Sequence, residues 1–491
     1  MKQTALIDTH GSALPGAPLA LLLAAQAARD PDRPALTLPS GVLTRAELEK
    51  RSNQRARQLQ RAGLQHNDTI IFAIPNGAAY YEFVYGVWKA GATPIHVSHK
   101  LTPREFDEIV TLAQPRLTLT PTSSLLSEDF SDLDDTPLPL QVASRWKIST
   151  SGGSTGRPKL IIDPNPALWG VEKQGHQRAP DSTIINPGPL YHSAPFGMMI
   201  PALGEGCHIV EMGRFEAESY LAHVERHRAS WAFLVPTMMA RIANLPAEVR
   251  ARYDISGIRT LLHMAAICPP AVKRAWIEML GPEAVWEIYG GTERIGSTII
   301  NGVEWLKHPG SVGLPRQGVT IQILDEGGNT LLPGEVGEIY FKRPGGPEST
   351  FLYIGADVRR RGEWASFGDM GWLDQAGYLY IADRRTDMVV TGGVNVFPAE
   401  VEAQIDALPG VHDSIVAAAP HADLGSVPHA IVQLEPTGKR WTEATLLDAL
   451  AERLAPHKLP RGVTFVEEPL RDDSGKIRRA LWRERLLAQS S

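Results

Sequence analysis

Up to about residue 300 the apolar positions fall into two alternating textures, short β-branched runs and longer stretches with helical spacing. Residues 17–28 are rich in Ala and Leu and end before Pro31, which predicts a short packed helix. Thr44 precedes Glu47 with the spacing of a capping box, so a helix is expected to follow Thr44, run to about Arg61 and stop at Gly63. A strand over 69–74, a helix over 78–90 and a strand over 93–97 come next. This alternation predicts an α/β layered domain with buried, largely parallel strands.

The texture changes after residue 310. Runs at 319–324, 336–343 and 378–381 read as short strands between turn clusters such as Asp325-Glu326-Gly327-Gly328-Asn329, a small antiparallel β-region. From about residue 387 a new pattern starts: a short strand, a glycine pair, a helix over 398–408, strands at 415–419 and 429–434, and a helix over 442–454. That is the size of a small α+β domain. The expected fold class is therefore α/β, with a large N-terminal layered domain over 1–385 and a small α+β C-terminal domain over 386–491. No long linker separates them, so Arg385 and Thr386 read as a hinge.

Composition narrows the function. Of 491 residues, 43% are hydrophobic and 21% charged, which excludes a disordered chain. A net charge of −6 leaves no basic footprint for nucleic acid. Two cysteines, Cys207 and Cys268, are too few for a disulfide framework and point to a reducing compartment. The Ala/Leu-rich run near the start is too short to span a bilayer, and a signal peptide fits it poorly. A soluble cytoplasmic protein is expected, a monomer or homodimer with no membrane partner.

The most informative stretch is Thr150-Ser151-Gly152-Gly153-Ser154-Thr155-Gly156-Arg157-Pro158-Lys159. Glycines let backbone N–H groups approach an anion, and hydroxyls and a lysine add donors for phosphate oxygens. Residues 152–156 also satisfy G-x-S-x-G, the nucleophile elbow that would make Ser154 the nucleophile of a serine hydrolase. That elbow must lead into a helix, and Pro158 stands where the helix would run. The P-loop pattern fails as well, because Arg157 and Pro158 intervene before Lys159.

This stretch resembles the signature loop of the adenylate-forming (AMP-binding) enzymes, which include acyl- and aryl-CoA synthetases, carrier-protein adenylation domains and luciferases. Further matches follow in that family's order. Tyr289-Gly290-Gly291-Thr292-Glu293 resembles the second nucleotide motif, and Gly368-Asp369-Met370-Gly371-Trp372 the ribose motif. Asp383-Arg384-Arg385-Thr386-Asp387 and the glycine pair Gly392-Gly393 resemble the hinge and the start of the mobile domain. Asp473-Ser474-Gly475-Lys476 resembles the terminal lysine loop. The resemblance runs from about Leu43 to Arg485 and is nearest to the fatty-, steroid- or bile-acid CoA ligase branch.

The resemblance implies two half-reactions. A carboxylate attacks the α-phosphate of ATP, giving an acyl-adenylate and pyrophosphate; coenzyme A then displaces AMP. It implies ATP, Mg²⁺ and CoA as small-molecule partners. Lys476 is the expected cation between carboxylate and phosphate, although alone it reads as part of a solvated basic tail. Glu293 is the expected Mg²⁺ ligand, with Thr155 and Thr292 as phosphate hydroxyls. Asp369 and Arg384 are expected at the ribose, Tyr289 and the backbone of Ala265 and Ala266 at the adenine. His192 is expected beside the substrate carboxylate. Phe196, Gly197, Trp231, Phe233, Met238, Gly290, Ile295 and Gly296 are expected to line the acyl pocket, where small residues hint at a bulky or cyclic acid. Gly392 and Gly393 would border the tunnel for the second nucleophile. His96 and His99 resemble a metal pair by spacing alone and read as incidental.

One departure concerns the second half-reaction. The mobile domain usually carries a Gly-Glu pair, and this chain has Leu424-Gly425-Ser426-Val427-Pro428-His429 instead. The alternatives left open are an amide-forming ligase that uses an amine and a loader of a carrier-protein thiol.

Overall fold

Thr44 caps the helix Arg45–Arg61 from both sides: its hydroxyl accepts from the Glu47 N–H, and Glu47 accepts from the Thr44 N–H at 2.8 Å. The packed helix near the start is Leu19–Arg29. The computed structural model describes residues 16–152, 158–169, 178–391, 394–421, 423–471 and 479–489. They form two compact units, Met1–Pro309 with Arg343–Val358, and Gly310–Lys342 with Arg359–Ser491.

The first unit holds two sheets. One runs in the order Leu352–Ile354, Pro158–Ile162, Ile148–Gly152, Thr93–His96, Thr69–Phe72 and Leu117–Leu119. Its last four strands are parallel, as a βαβ pattern requires. Ile71, Ile95, Val97, Ile148, Leu160 and Ile162 cover one face and pack on Ile109 of the helix Pro103–Ala113. In the other sheet, Val285–Gly290, Thr260–His263, Trp231–Leu234, Thr183–Asn186, His208–Glu211 and Pro34–Leu38 lie side by side and parallel. Helices such as Ser193–Gly204, buried nearly all round, connect the strands.

The second unit contains the expected antiparallel β-region, with Thr320–Leu324 paired to Gly337–Lys342 and Asp369–Leu373 to Leu379–Arg384. Its other sheet joins Val394–Val396, Val389–Thr391, Gly425–Leu434 and Val411–His421, with Val463–Val466 parallel to Gly425–Leu434. Val401 and Ile405 of the helix Pro398–Asp406 and Leu446 and Leu450 of the helix Glu443–Ala451 pack on it. The hairpin strands are longer than the sequence pattern predicts. Pro420 and Pro428 stand just outside the two predicted runs, yet the pairing continues through them to His421↔Gly425.

Candidate functional site

The glycine-rich stretch is a hairpin. Ile148–Gly152 runs antiparallel to Pro158–Ile162 with Gly152 opposite Pro158 and Ser151 opposite Lys159. Gly153, Ser154, Thr155 and Gly156 lie outside the described residues. A strand follows Pro158, so the strand-to-helix turn needed by the hydrolase reading is not formed here. Thr150 Oγ1 donates to the His96 carbonyl at 3.2 Å, tying the hairpin to the next parallel strand.

Lys159 projects from the second strand of the hairpin. Its Nζ lies 3.2 Å from Glu293 Oε1 and donates to the Tyr353 hydroxyl oxygen at 2.8 Å. The Tyr353 hydroxyl in turn donates to Glu293. Tyr353 comes from the neighbouring strand, where it pairs with Ile161. Burial, and then the Glu293 charge, push the Tyr353 phenol far above its ordinary range, so it stays protonated. Three residues distant in sequence thus form one partly buried, charge-assisted cluster. Sequence reading named Lys159 and Glu293 and missed Tyr353.

Two more expected segments lie at the carboxyl ends of the parallel strands, where ligands of open α/β sheets bind. Beyond Thr260–His263, Ala265 has φ +81°, left-handed backbone that non-glycine residues seldom adopt, and Ala265 and Ala266 are exposed. The adjacent strand ends in Tyr289 and Gly290, with Gly291, Thr292 and Glu293 in the turn after it. A Cβ on Gly290 would lie 3.2 Å from the Gly296 carbonyl oxygen, which accounts for glycine in this tight return. Behind them, Lys273 and Glu287 form a fully buried pair at 2.6 Å that pins the helix Pro270–Leu280 to the sheet. Burial raises the Glu287 carboxyl above its usual range, against the pull of Lys273.

His192 is the N-cap residue of Ser193–Gly204. The segment before it is held from behind by Asn76, which donates to the Gly188 carbonyl at 3.0 Å and accepts from the Leu190 N–H at 2.9 Å. Asn76 is itself bonded to Glu211 at 3.0 Å, as is Asn186 at 2.7 Å. Phe196 in the helix's first turn is fully buried and stacks on His96, with ring centroids 4.6 Å apart. Ile295 and Gly296 are buried beside the strand Ser297–Asn301. Phe233 and Met238 are buried near the end of Trp231–Leu234 and at the start of the helix Pro236–Ala243. Trp231 stands apart: it begins its strand, opposite Thr260, and the Arg178 guanidinium lies 5.2 Å from its ring centroid.

In the second unit Asp369 and Arg384 are direct cross-strand partners, with Arg384 Nε 3.5 Å from Asp369 Oδ1. Gly371 of the same motif is forced, since a Cβ there would meet the Tyr380 carbonyl oxygen at 2.2 Å. Arg385 bonds Glu338 at 3.1 Å, and Thr386 is exposed. Asp383 accepts from the Ala399 N–H at 2.8 Å, at the start of the helix Pro398–Asp406. Arg479 holds Glu402, with its Nε 3.2 Å from Asp387. Gly392, Gly393 and Lys476 lie outside the described residues.

The family described as AMP-binding enzyme matches residues 23–347, and its C-terminal domain matches residues 400–476. The chain belongs to this family. A feruloyl-CoA synthase from Amycolatopsis sp. is 30% identical over 466 residues, covering 89% of this chain and 92% of that protein. A long-chain-fatty-acid–CoA ligase of Bacillus subtilis (strain 168) is 28% identical over 546 residues, covering 96% and 95%. Among solved structures, ATP-bound MatB from Rhodopseudomonas palustris superposes with a TM-score of 0.79 at 26% identity, covering 95% of this chain and 98% of that one. As a member of the AMP-binding family the chain is an ATP-dependent, adenylate-forming ligase of the acyl-CoA synthetase type. Among the described residues no helix is long and apolar enough to cross a membrane.

Proposed function

We propose that this chain activates a bulky or cyclic carboxylic acid as its acyl-adenylate and passes the acyl group to the thiol of coenzyme A. The observation that carries the residue assignment is the Lys159–Tyr353–Glu293 cluster, which joins the hairpin of the glycine-rich loop to the turn after Tyr289. Residues 150–156 and Lys159 take the phosphates of ATP, Ala265, Ala266 and Tyr289 border the adenine, and Asp369 and Arg384 bond the ribose hydroxyls. His192 orients the acid, whose carboxylate oxygen attacks the α-phosphorus as pyrophosphate leaves. Lys476 bridges the two anions; the CoA sulfur then attacks the acyl carbon and AMP departs. Gly392 and Gly393 border the thiol's path, and residues 386–491 turn about Arg385 and Thr386 between the two steps.

Mg²⁺ fits the donor set at Glu293. Lys159 and Tyr353 both engage Oε1, and no described residue hydrogen-bonds to Oε2, which leaves an oxygen for a hard cation. When bound, with Thr155 as a further ligand, the ion offsets the negative charge that builds on the phosphates. The Lys159–Glu293 pair holds that carboxylate oriented before ATP arrives.

The test is pyrophosphate release from ATP and Mg²⁺ across aliphatic, aromatic and polycyclic acids, with product mass spectrometry in the presence of CoA and of amines. Acid-dependent release with a thioester product is expected. Lys476→Ala and Glu293→Gln are expected to lower release at least a hundredfold with an unchanged melting curve. Undiminished release in either variant removes the role given to that residue, and an amide product without thioester removes CoA as the acceptor.

A further inference from the structure

The sheet that carries the glycine-rich hairpin has two unlike faces. One is the apolar layer around Ile95, Ile148 and Leu160. On the other, Ser149 lies opposite His96 across the parallel pair, and Lys147 extends the same face two residues before Ser149. This patch is polar yet deeply buried: His96 is 0% exposed, Ser149 1% and Lys147 6%. It faces the first turn of Ser193–Gly204. His96 stacks on Phe196, and Lys147 Nζ donates to Ser193 Oγ at 2.9 Å and lies 4.0 Å from where a Cβ on Gly197 would be. The Lys147 ammonium also lies 4.7 Å from the Trp146 ring centroid and 5.9 Å from that of Phe196.

The patch is under-bonded. Among the described residues Lys147 Nζ has one hydrogen bond for three donors, and both ring nitrogens of His96 and the hydroxyl of Ser149 have none. Its nearby carboxylate is committed elsewhere: Asp163 takes the Arg294 guanidinium at 2.8 Å, the Trp146 N–H at 2.5 Å and the Asn165 side-chain amide at 2.7 Å. Burial lowers the Lys147 ammonium to about 8, with Asp163 opposing this and Arg294 adding to it, so at neutral pH it is still mostly a cation. Burial, then Lys147, then His192 hold the His96 imidazole neutral. A neutral imidazole, a hydroxyl and a cation with spare donors are costly to keep in a core, and a ligand oxygen satisfies them.

We propose that Lys147, with His96 and Ser149 beside it, is the specificity-determining wall of the acyl pocket and receives an oxygen acceptor carried by the acid at the end away from its reacting carboxyl. The inference rests on the placement of Phe196 and Gly197 in the acyl pocket. The acceptor is a ring hydroxyl or a second carboxylate. The wall leaves the reacting carboxyl to other residues, and the aromatic rings of Trp146 and Phe196 flank the ammonium rather than compete for its N–H groups.

The experiment compares matched acids with and without the distal oxygen, 4-hydroxycinnamate against 4-methylcinnamate and adipate against heptanoate, in the full chain and in Lys147→Met. Both kcat/KM for pyrophosphate release and calorimetric binding of each acid are read. The unaltered chain is expected to favour the oxygen-bearing member of at least one pair by about tenfold or more. Lys147→Met is expected to bring that ratio near unity and to leave the apolar member within a few-fold. Ser193→Ala, which removes the hydroxyl holding the ammonium, lowers the ratio in the same sense and serves if the methionine variant does not fold. An equal loss for both members, or no preference in the unaltered chain, overturns the proposal. A binding preference that depends on Lys147, without pyrophosphate release from these acids, upholds the wall and removes them as the acids this chain activates.

Discussion

At the residue scale, chemistry concentrates where sequence-distant side chains meet. Lys159 and Glu293 were named because the stretches that carry them, Thr150–Lys159 and Tyr289–Glu293, resemble the nucleotide motifs of the adenylate-forming family. Tyr353 was not named as a site residue, because it belongs to none of the nucleotide motifs; it acts through a hydroxyl 194 residues from the lysine it meets. Tyr353→Phe removes the donor that fixes Glu293 while keeping the ring under the Lys159 ammonium, whose Nζ is 4.1 Å from the ring centroid. A hydrogen bond to a charged group contributes about 1.5–3 kcal/mol. The expected result is a rise in KM for MgATP of roughly tenfold or more, with KM for the acid little changed. Titrating Mg²⁺ and ATP against pyrophosphate release checks it, and unchanged nucleotide kinetics would leave Tyr353 with a packing role.

At the scale of the element, local signals were strong where the chemistry is local. The Thr44–Glu47 capping box was legible because both of its hydrogen bonds close within one turn. Thr44→Ala is expected to cost about 1 kcal/mol, read as a lowered midpoint in urea with catalysis per folded molecule unaffected. No change in midpoint would mean that packing alone sets this helix's start. Pro158 was equally legible: it forbids the helix a nucleophile elbow requires, and a strand stands in its place. The long hairpin of the second unit was only half legible. Prolines read as strand breaks, yet Pro428 is tolerated between the stretch where Gly425 pairs with Thr391 and the stretch where Ala430 pairs with Val463. The short strand Leu352–Ile354 carries too few residues for a period to emerge.

Across the whole molecule, buried charge is invested in holding elements to one another. In the second unit, Asp383 lies buried at the end of one strand and bonds the first turn of the helix Pro398–Asp406. Burial pushes its carboxyl up to about 6, with Arg479 pulling the other way. The folded chain therefore holds a proton on Asp383 that the unfolded chain releases from about pH 4 upward. This contribution to stability is present below the unfolded value and is lost as pH rises through about 6. Measured against Asp383→Asn, which keeps an acceptor for the Ala399 N–H, the unaltered chain should lose up to about 2–3 kcal/mol between pH 4 and 7. Urea melts of both proteins at the two pH values check the sign; a difference independent of pH would contradict it.

The sequence by itself determined the family, the alternation of strand and helix and the Thr44 cap. Each of these is written in a short window, where spacing along the chain is spacing in space. The tertiary structure decided which polar residues share a site. No signal along the chain assigned Lys147 or Ser149 a role in an acyl pocket, and His96 read as half of an incidental pair with His99. Only the parallel register that sets Ser149 opposite His96, and the helix that brings Ser193 and Phe196 over them, assemble one polar wall. The physical reason is that a sheet face is built from residues of different strands, so its polarity is a property of the pairing and not of any one segment.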